Sequence, residues 1–259
     1  MPPGQSSLAE PQSIDQVIER LNGILDEALR RGGRIGYFTA LYERVTTNVR
    51  RALVAENGFQ DNVRMERLDV IFANRYLQAW SRYTQGQSPT QSWRLAFDLL
   101  NDPSPLVIQH LLLGMNAHIN LDLGIAAAMI APTPAELTLL WPDFKKINEI
   151  LARLVGVVEV ELGQISPRLS RVEEFAPRQE GKLFAFGIDA ARDLAWALAG
   201  ELVQAERTQW EAIISRRDAT AALAGKALYP LHGVAGEICR WIHAEESTDV
   251  PHNIQILAA

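Results

Sequence analysis

The 26 residues of segment 105–130, PLVIQHLLLGMNAHINLDLGIAAAMI, are apolar on nearly every side of the helix that they predict. A helix of this kind is normally buried inside a domain. It nevertheless carries strongly polar side chains, at Gln109, His110, Asn116, His118, Asn120 and Asp122. Because burying a polar group is costly without a hydrogen-bond partner, the segment predicts either an internal hydrogen-bond network or a functional site.

Helical periodicity recurs along almost the whole chain, with apolar residues three or four positions apart and Ser, Pro, Gly or Asn at the ends of the runs. The first helix, for example, is predicted to begin after the N-cap Ser13 and to end at Gly32. Pro142 is expected to break or restart the helix that follows Thr133. The predicted helices span residues 14–31, 35–56, 62–85, 89–101, 105–130, 144–162, 183–203, 208–228 and 234–244.

No run of alternating apolar and polar residues predicts a strand. The β-branched segment 155–162, VGVVEVEL, continues the helical period of the residues before it, so we interpret it as helix. We therefore predict an all-α fold, a single globular multi-helix domain around a buried central helix at about 105–130. Residues 13–246 would form this domain, with residues 1–12 as a disordered lead-in and residues 247–259 as a C-terminal tail.

Composition narrows the functional classes. The chain has 259 residues and a net charge of −6, which argues against a nucleic-acid partner bound through a broad basic face. A single cysteine, Cys239, excludes an internal disulfide and suits a reducing cytosol. The N-terminus lacks a signal-peptide pattern, and the polar residues of segment 105–130 argue against a membrane span. We expect a cytoplasmic protein with a small-molecule ligand, no nucleic acid and no membrane span, and the sequence leaves a homo-oligomer open.

The polar residues of the central helix fall on two separate edges. At 100° per residue, Gln109, Asn116 and Asn120 lie within roughly 40° of one another, whereas His118 and Asp122 lie about 180–220° from Gln109. A surface helix would have only one polar face. Two polar edges with apolar residues between them therefore predict contacts on opposite sides of the helix.

His118 and Asp122 are four residues apart and share one face of the helix. This spacing is compatible with three roles. Both residues could ligate a divalent metal, or Asp122 could orient His118 as a general base or hydrogen-bond donor. The pair could also be a structural network that only fixes packing.

A second polar cluster is predicted on segment 67–80, where Asp69, Phe72, Tyr76 and Trp80 share one helix face. An aspartate among three aromatic residues must be either at the edge of the core or paired inside it. Asn74 and Arg75 are expected to flank this face.

A third cluster lies on segment 186–198. There Arg192 is expected either to pair with Asp189 or to lie flat on Trp196. A surface salt bridge beside the aromatic core is the simpler interpretation. The more specific hypothesis is that one internal pocket, walled by Trp and Tyr, collects Asp69, Arg75, His118, Asp122 and Arg192.

Familiar catalytic motifs do not occur in the sequence. There is no P-loop, GxGxxG, CxxC, HExxH or GxSxG, and no Glu-x-x-His pair of the kind found in di-iron bundles. The residues therefore indicate where a site would lie without indicating its reaction.

Three runs of the sequence resemble a family of bacterial proteins of unknown function. They are LYERVT at 41–46, LDVIFANRYLQAW at 68–80 and, most distinctively, HLLLGMNAHINLDLGIAAA at 110–128. The resemblance extends over most of the chain from about Ile14 and implies a helical domain of this length, but no reaction. The family's hallmark positions correspond here to Asp69, Asn74, Arg75, Tyr76, Asn116, His118, Asn120 and Asp122.

Our leading hypothesis is an enzyme that acts on a small, largely apolar metabolite in an internal helical pocket. The alternatives are a non-catalytic small-molecule binding protein and a structural scaffold with a buried polar network. In the enzyme, His118, Asp122 and Asp69 would be catalytic, or His118 and Asp122 would hold a divalent metal. The residues assigned to ligand binding are Asn74, Arg75, Tyr76, Asn116, Asn120, Arg192 and Trp196.

Overall fold

A computed structural model describes residues 9–56, 58–175 and 180–259. These ranges contain helices and turns but no β-strand, which confirms the all-α prediction. Of the predicted disordered lead-in, residues 1–8 lie outside the described ranges. The helices are α1 (Ile14–Arg31), α2 (Ile35–Leu53), α3 (Asn62–Thr84), α4 (Gln91–Asp98), α5 (Val107–Ala117), a π-helical turn (His118–Leu123), α6 (Gly124–Ile130), α7 (Pro134–Ile165), α8 (Pro167–Phe175), α9 (Glu180–Gln204), α10 (Trp210–Lys226), α11 (Gly233–His243) and α12 (Val250–Leu257).

The ends of the helices follow from local sequence. Ser13 caps α1 by accepting a hydrogen bond from the Gln16 amide, and Gly32 ends it in the left-handed conformation at φ 65°. Thr133 and Glu136 form a reciprocal capping box at the start of α7. Short polar motifs thus place the boundaries of these helices without help from the core.

The predicted break at Pro142 was wrong. Helix α7 runs without interruption from Pro134 to Ile165, with Pro142 inside it. A proline in a helix interior costs about 3 kcal/mol, because it removes one backbone hydrogen bond and crowds the preceding turn. Burial of Leu140 and Phe144 on either side of Pro142 offsets that cost, since large apolar side chains contribute about 2 kcal/mol each when buried.

The central helix, defined here as Val107–Ile130, passes through the middle of the described fold. It packs against α2, α3, α4, α9 and α10, and apolar core lies on both sides of it. Its length and mean hydropathy of 1.3 would suffice to cross a membrane, but 78% of the most apolar window is buried among the other helices. A buried core helix has these same properties, so the segment is weak evidence for a membrane span.

Two glycines permit close packing of the central helix. A Cβ atom at Gly114 would lie 2.5 Å from the ring of Phe38 on α2, and one at Gly124 would lie 2.5 Å from the Ala195 carbonyl oxygen on α9. Both distances are far below van der Waals contact. Glycine at these positions therefore lets α2 and α9 reach the central helix.

The segment 247–259, predicted as a tail, contains helix α12. Ile254 and Leu257 of this helix are completely buried, and α12 packs against α1, α2 and α7. The apolar positions Ile254, Ile256 and Leu257 are too few for a clear helical period. Their contribution to the core depends on partners that are distant in sequence.

Candidate functional site

The central helix changes its hydrogen-bonding pattern where its most unusual residues lie. His118–Leu123 form a π-helical turn between α5 and α6. Such turns are rare and often mark functional sites, because they place an extra residue in a helix at the expense of regular packing. Nothing in the residue pattern predicted it.

Asp122 is the centre of a buried hydrogen-bond network. Its Oδ1 accepts a hydrogen bond from Arg75 Nε at 2.7 Å, and its Oδ2 accepts one from Trp93 Nε1 at 2.7 Å. His118 Nδ1 lies 3.3 Å from the same Oδ2. Burial alone would raise the pKa of Asp122, but Arg75, His118 and Trp93 together bring the pKa below its ordinary value. Asp122 is therefore a carboxylate.

The protonation of His118 follows from that network. Since Asp122 only accepts hydrogen bonds, the proton of the neutral imidazole belongs on Nδ1, which leaves a lone pair on Nε2. Nε2 is buried and has no hydrogen-bond partner among the described residues. Burial lowers the pKa of His118, although Asp122 partly opposes this effect. His118 is thus a neutral, oriented base.

Aromatic side chains hold the imidazole in place. The ring of Phe72 stacks on His118 with centroids 3.6 Å apart and planes within 7° of parallel. The ring of Tyr42 meets His118 edge-on at 4.5 Å. These contacts restrict the imidazole to one orientation.

His118 lines a partly open cavity of about 100 Å³ between α2, α3, the central helix, α7 and α9. Aliphatic and aromatic side chains form most of its wall. Polar or ionisable side chains reach it from four described positions, which are Tyr42, Asp69, His118 and Arg192. No serine, threonine, cysteine or lysine occurs among the described lining residues.

Asp69 and Tyr42 each leave a polar atom unpaired beside this cavity. Asp69 Oδ2 and the Tyr42 hydroxyl are buried and lack a hydrogen-bond partner within the described ranges. Burial, with a contribution from Glu66, raises the pKa of Asp69 to about 7. Burial, followed by the charge of Asp69, raises the pKa of Tyr42 well above its ordinary value. Near neutral pH, the Tyr42 hydroxyl and a protonated Asp69 would both be donors.

Arg192 also lines the cavity, but its contacts differ from the predicted ones. It pairs with neither Asp189 nor Trp196: its guanidinium lies 4.3 Å from the centroid of the Phe144 ring and donates to Asn148 Oδ1 and the Phe144 carbonyl oxygen. Burial lowers the pKa of Arg192 to about 10, so it stays positively charged. No acidic side chain forms a salt bridge with it among the described residues.

Trp196, which was assigned to ligand binding, packs instead into an aromatic cluster. Its ring lies 4.6 Å from that of Trp141 and 4.7 Å from that of Phe144. It therefore supports the part of α7 that Arg192 contacts and does not line the cavity.

The amide edge of the central helix faces α10. Asn116 Nδ2 donates to the Ala221 carbonyl oxygen at 2.8 Å, and Asn120 donates to Asn116 at 2.9 Å. Gln109 donates to the Leu228 carbonyl oxygen beyond the end of α10. This edge joins two helices, so the two asparagines lie apart from the cavity.

Of the residues predicted on α3, some reach the cavity and others bind other parts of the fold. Asp69 reaches the cavity, whereas Arg75 binds Asp122. Asn74 donates to the Pro11 carbonyl oxygen, and the Tyr76 hydroxyl lies 2.7 Å from Thr39 Oγ1. The hypothesised convergence thus holds for Asp69, His118 and Arg192 at the cavity, with Asp122 and Arg75 behind His118.

The residues do not fit a divalent metal. Both oxygens of Asp122 already accept hydrogen bonds, and within the described ranges no three His, Cys, Asp or Glu side chains cluster as metal ligands would. A metal site requires several such ligands converging on one point. We therefore derive no metal-dependent step.

Two positions of the candidate site were missed by sequence reasoning. Tyr42 looked like an ordinary core residue on the apolar face of α2, and its place in the LYERVT run was the only signal. Trp93 carried no signal, because its bond to Asp122 joins residues from different helices.

These features define a class of protein, an all-α domain built around a buried helix that contributes one polar residue, His118, to the wall of a cavity. The chain belongs to a family of unknown function, DUF5995, whose model matches residues 14–230. A search of curated proteins found no match. A search of solved structures found none either.

Proposed function

We propose that this protein is an enzyme that binds a small, largely apolar molecule in the cavity and uses His118 as a general base. The observation that carries the proposal is the buried, unpaired Nε2 atom of His118, a residue that lines the cavity and whose Nδ1 faces the carboxylate of Asp122. An imidazole oriented by a carboxylate on one nitrogen is suited to take a proton on the other. Asp122, held by Arg75 and Trp93, would stabilise the imidazolium that forms.

The size and lining of the cavity limit the ligand. About 100 Å³ is less than the roughly 150 Å³ of an apolar cavity that accommodates benzene. The cavity thus suits a molecule smaller than benzene, or a larger one if the surrounding helices move apart. No serine, threonine, cysteine or lysine occurs on the described wall, and the groups there that are suited to proton transfer are His118, Tyr42 and Asp69.

Arg192 would select among such ligands. It is a buried cation that faces the cavity without a salt-bridge partner among the described side chains. A carboxylate on an otherwise apolar ligand would supply the missing charge, since bidentate pairing with arginine is strong when it is desolvated. Arg75 is less suited to this role because it already neutralises Asp122.

The test compares the wild-type protein with a His118→Asn variant. The asparagine amide can still donate to Asp122 from near the position of Nδ1, but it has no counterpart of Nε2. Both proteins are incubated with panels of small alcohols, phenols, ketones, aldehydes and carboxylic acids. Binding is measured as a rise in Tm, and conversion is measured by mass spectrometry.

We expect at least one class to raise Tm in both proteins and to be converted only by the wild type. The exposed His252 supplies a matched control variant, His252→Asn, which should behave as wild type. Ligand that binds and returns unchanged would overturn the enzyme proposal and favour a carrier or sensor. If no class binds and replacing both His118 and Asp122 with leucine raises stability, the polar cluster is a packing device.

A further inference from the structure

Three polar atoms beside the cavity suggest what kind of molecule it takes. His118 Nε2 comes from the π-helical turn, the Tyr42 hydroxyl from α2 and Asp69 Oδ2 from α3. All three are buried, and none has a hydrogen-bond partner in the part of the chain that the structure describes. A buried polar group left unpaired costs about 1–3 kcal/mol, so a ligand that pairs with several of them gains considerably.

The three groups differ in what they offer. His118 presents a lone pair, because its proton is on the nitrogen that faces Asp122. Tyr42 stays a phenol and can donate. Asp69, with a pKa of about 7, is protonated in a large fraction of molecules near neutral pH and can then donate as well. An apolar cavity that provides one base and two donors is complementary to a carbonyl compound, whose oxygen accepts two hydrogen bonds and whose neighbouring carbon carries an acidic proton.

We propose that the substrate is a small, largely apolar ketone or aldehyde, that His118 removes a proton from the carbon next to the carbonyl, and that Tyr42 and Asp69 bind the oxygen of the resulting enolate. This inference rests on the proposed function, since it assigns a substrate class and a reaction to the same cavity. It adds Tyr42 as a catalytic residue and gives Asp69 the role of a neutral acid. A buried, protonated carboxylic acid and a phenol can together stabilise an enolate oxygen in an apolar site.

Formation of the enolate requires only the transfer of a proton to His118 and uses no cofactor or oxidant. The α-carbon–hydrogen bond breaks and its proton forms a bond to His118 Nε2. The electron pair of that bond becomes the carbon–carbon double bond of the enolate, and the π electrons of the carbonyl move to its oxygen. The imidazolium, stabilised by Asp122, then returns a proton to the same carbon or to another carbon of a conjugated enolate. The net result is hydrogen exchange or isomerisation of the carbonyl compound.

Proton exchange supplies a direct test with a simple probe. The full chain is incubated with acetone, which is small enough for a cavity of about 100 Å³, in deuterated buffer near neutral pH, and the loss of the α-proton signal is followed by proton NMR. Binding is measured in the same sample by saturation transfer from the protein to the ketone. The variants are His118→Asn, Tyr42→Phe and Asp69→Leu, each checked for folding by circular dichroism.

We expect the wild type to exchange the α-protons faster than buffer alone, and His118→Asn to return the rate to that of buffer. Loss of a single oxyanion donor costs about 10²–10³-fold in known enzymes, so Tyr42→Phe and Asp69→Leu should each slow exchange by at least tenfold. The matched control is Tyr83→Phe, because Tyr83 bonds the Phe97 carbonyl oxygen and does not line the cavity. Its exchange rate should equal that of the wild type.

The outcomes separate this inference from the broader one. A ketone that binds without faster exchange overturns the enolate chemistry, while conversion of another ligand class that depends on His118 would leave the proposed function standing. Failure of the ketone to bind also overturns the inference. Exchange that is unchanged in both Tyr42→Phe and Asp69→Leu would exclude the oxyanion role, and either variant decides this point if the other does not fold.

Discussion

Arg75 Nε lies 2.7 Å from Oδ1 of Asp122, and this ion pair joins α3 to the π-helical turn where the carboxylate is only 1% exposed. The guanidinium keeps Asp122 ionised in spite of burial, and the ionised carboxylate in turn determines which nitrogen of His118 carries the proton. Arg75, which does not line the cavity, thus determines that His118 carries its proton on Nδ1 and a lone pair on Nε2.

Replacing Asp122 with asparagine should destabilise the fold by about 3–5 kcal/mol, because removing one partner of a buried ion pair leaves the other charge uncompensated. Urea denaturation would measure the loss. The control is Asp98→Asn, which removes an exposed pair to Arg94 on α4 and should cost no more than about 1 kcal/mol. Equal losses in the two variants would show that the Asp122 network contributes little to stability.

Asp69 should make the protein less stable as pH rises. Its pKa increases from 3.8 when unfolded to about 7 when folded, so its favourable effect is complete below pH 4 and is lost as pH rises through 7. At 1.36 kcal/mol per pKa unit, the wild type should lose about 4 kcal/mol relative to Asp69→Asn between pH 4 and pH 8. Denaturation curves of both proteins across this range would measure the difference.

The exposed Asp26 provides the control for that measurement, since Asp26→Asn should shift stability by a similar small amount at every pH. Parallel stability curves for the wild type and Asp69→Asn would contradict the prediction, and Asp69 would then be ionised in the folded protein.

His110 should have the opposite dependence on pH. Burial, with a smaller effect of Arg34, lowers its pKa to about 4, and Asp102 only partly opposes this. Its contribution to the free energy of unfolding is therefore complete above pH 6.5 and falls by roughly 3 kcal/mol as pH decreases towards 4. His110→Leu should remove this acid sensitivity, and thermal unfolding from pH 7 to pH 4 would measure it.

The same variant should be at least as stable as the wild type at pH 7. Both ring nitrogens of His110 are buried without a hydrogen-bond partner within the described ranges, so leucine removes two unpaired polar atoms. His252→Leu, at an exposed position, is the control and should keep the pH dependence of the wild type. A large loss of stability in His110→Leu at pH 7 would indicate that the imidazole makes contacts that leucine cannot replace.

Gly124→Ala should be more destabilising than Gly114→Ala. The new Cβ meets the backbone carbonyl oxygen of Ala195 in the first case and the side chain of Phe38 in the second, and a side chain can move aside more easily. We expect costs of about 3 kcal/mol and about 1–2 kcal/mol, in the range of overpacked cores. Gly156→Ala on α7 is the control: nothing lies within 4 Å of its Cβ, so higher helix propensity should stabilise it by about 1 kcal/mol. Equal losses of stability in Gly114→Ala and Gly124→Ala would mean that the backbone of α9 shifts as readily as the Phe38 side chain.

Much of the fold could be predicted because the signals are local. Helix α1 begins and ends where Ser13 and Gly32 predict, and the central helix was identified from its apolar composition. The break at Pro142 was predicted wrongly because the packing of Leu140 and Phe144 outweighs a local preference. Helix α12 was missed for a related reason, since its few apolar residues become informative only once α1 and α2 are there to cover them.

The site was predictable in part. His118, Asp122 and Asp69 were identified as candidate site residues because their sequence neighbours are apolar, and ionisable groups are rarely buried among apolar residues without a partner or a function. Helical spacing placed His118 beside Asp122, but it could not show that Asn116 faces α10 while Asp69 faces the cavity. Those assignments depend on which helix lies against each edge.

The amino-acid sequence by itself determined that this chain forms helices, where several of them begin and end, and that one buried helix carries polar groups. Periodicity, capping and composition act over a few residues and can be read without a partner. The tertiary structure decided that Arg75 and Trp93 hold Asp122, that Tyr42 joins Asp69 and His118 at one cavity, and that Arg192 rests on Phe144. Each of these contacts joins residues from different helices, and their energies exist only when those helices are packed together.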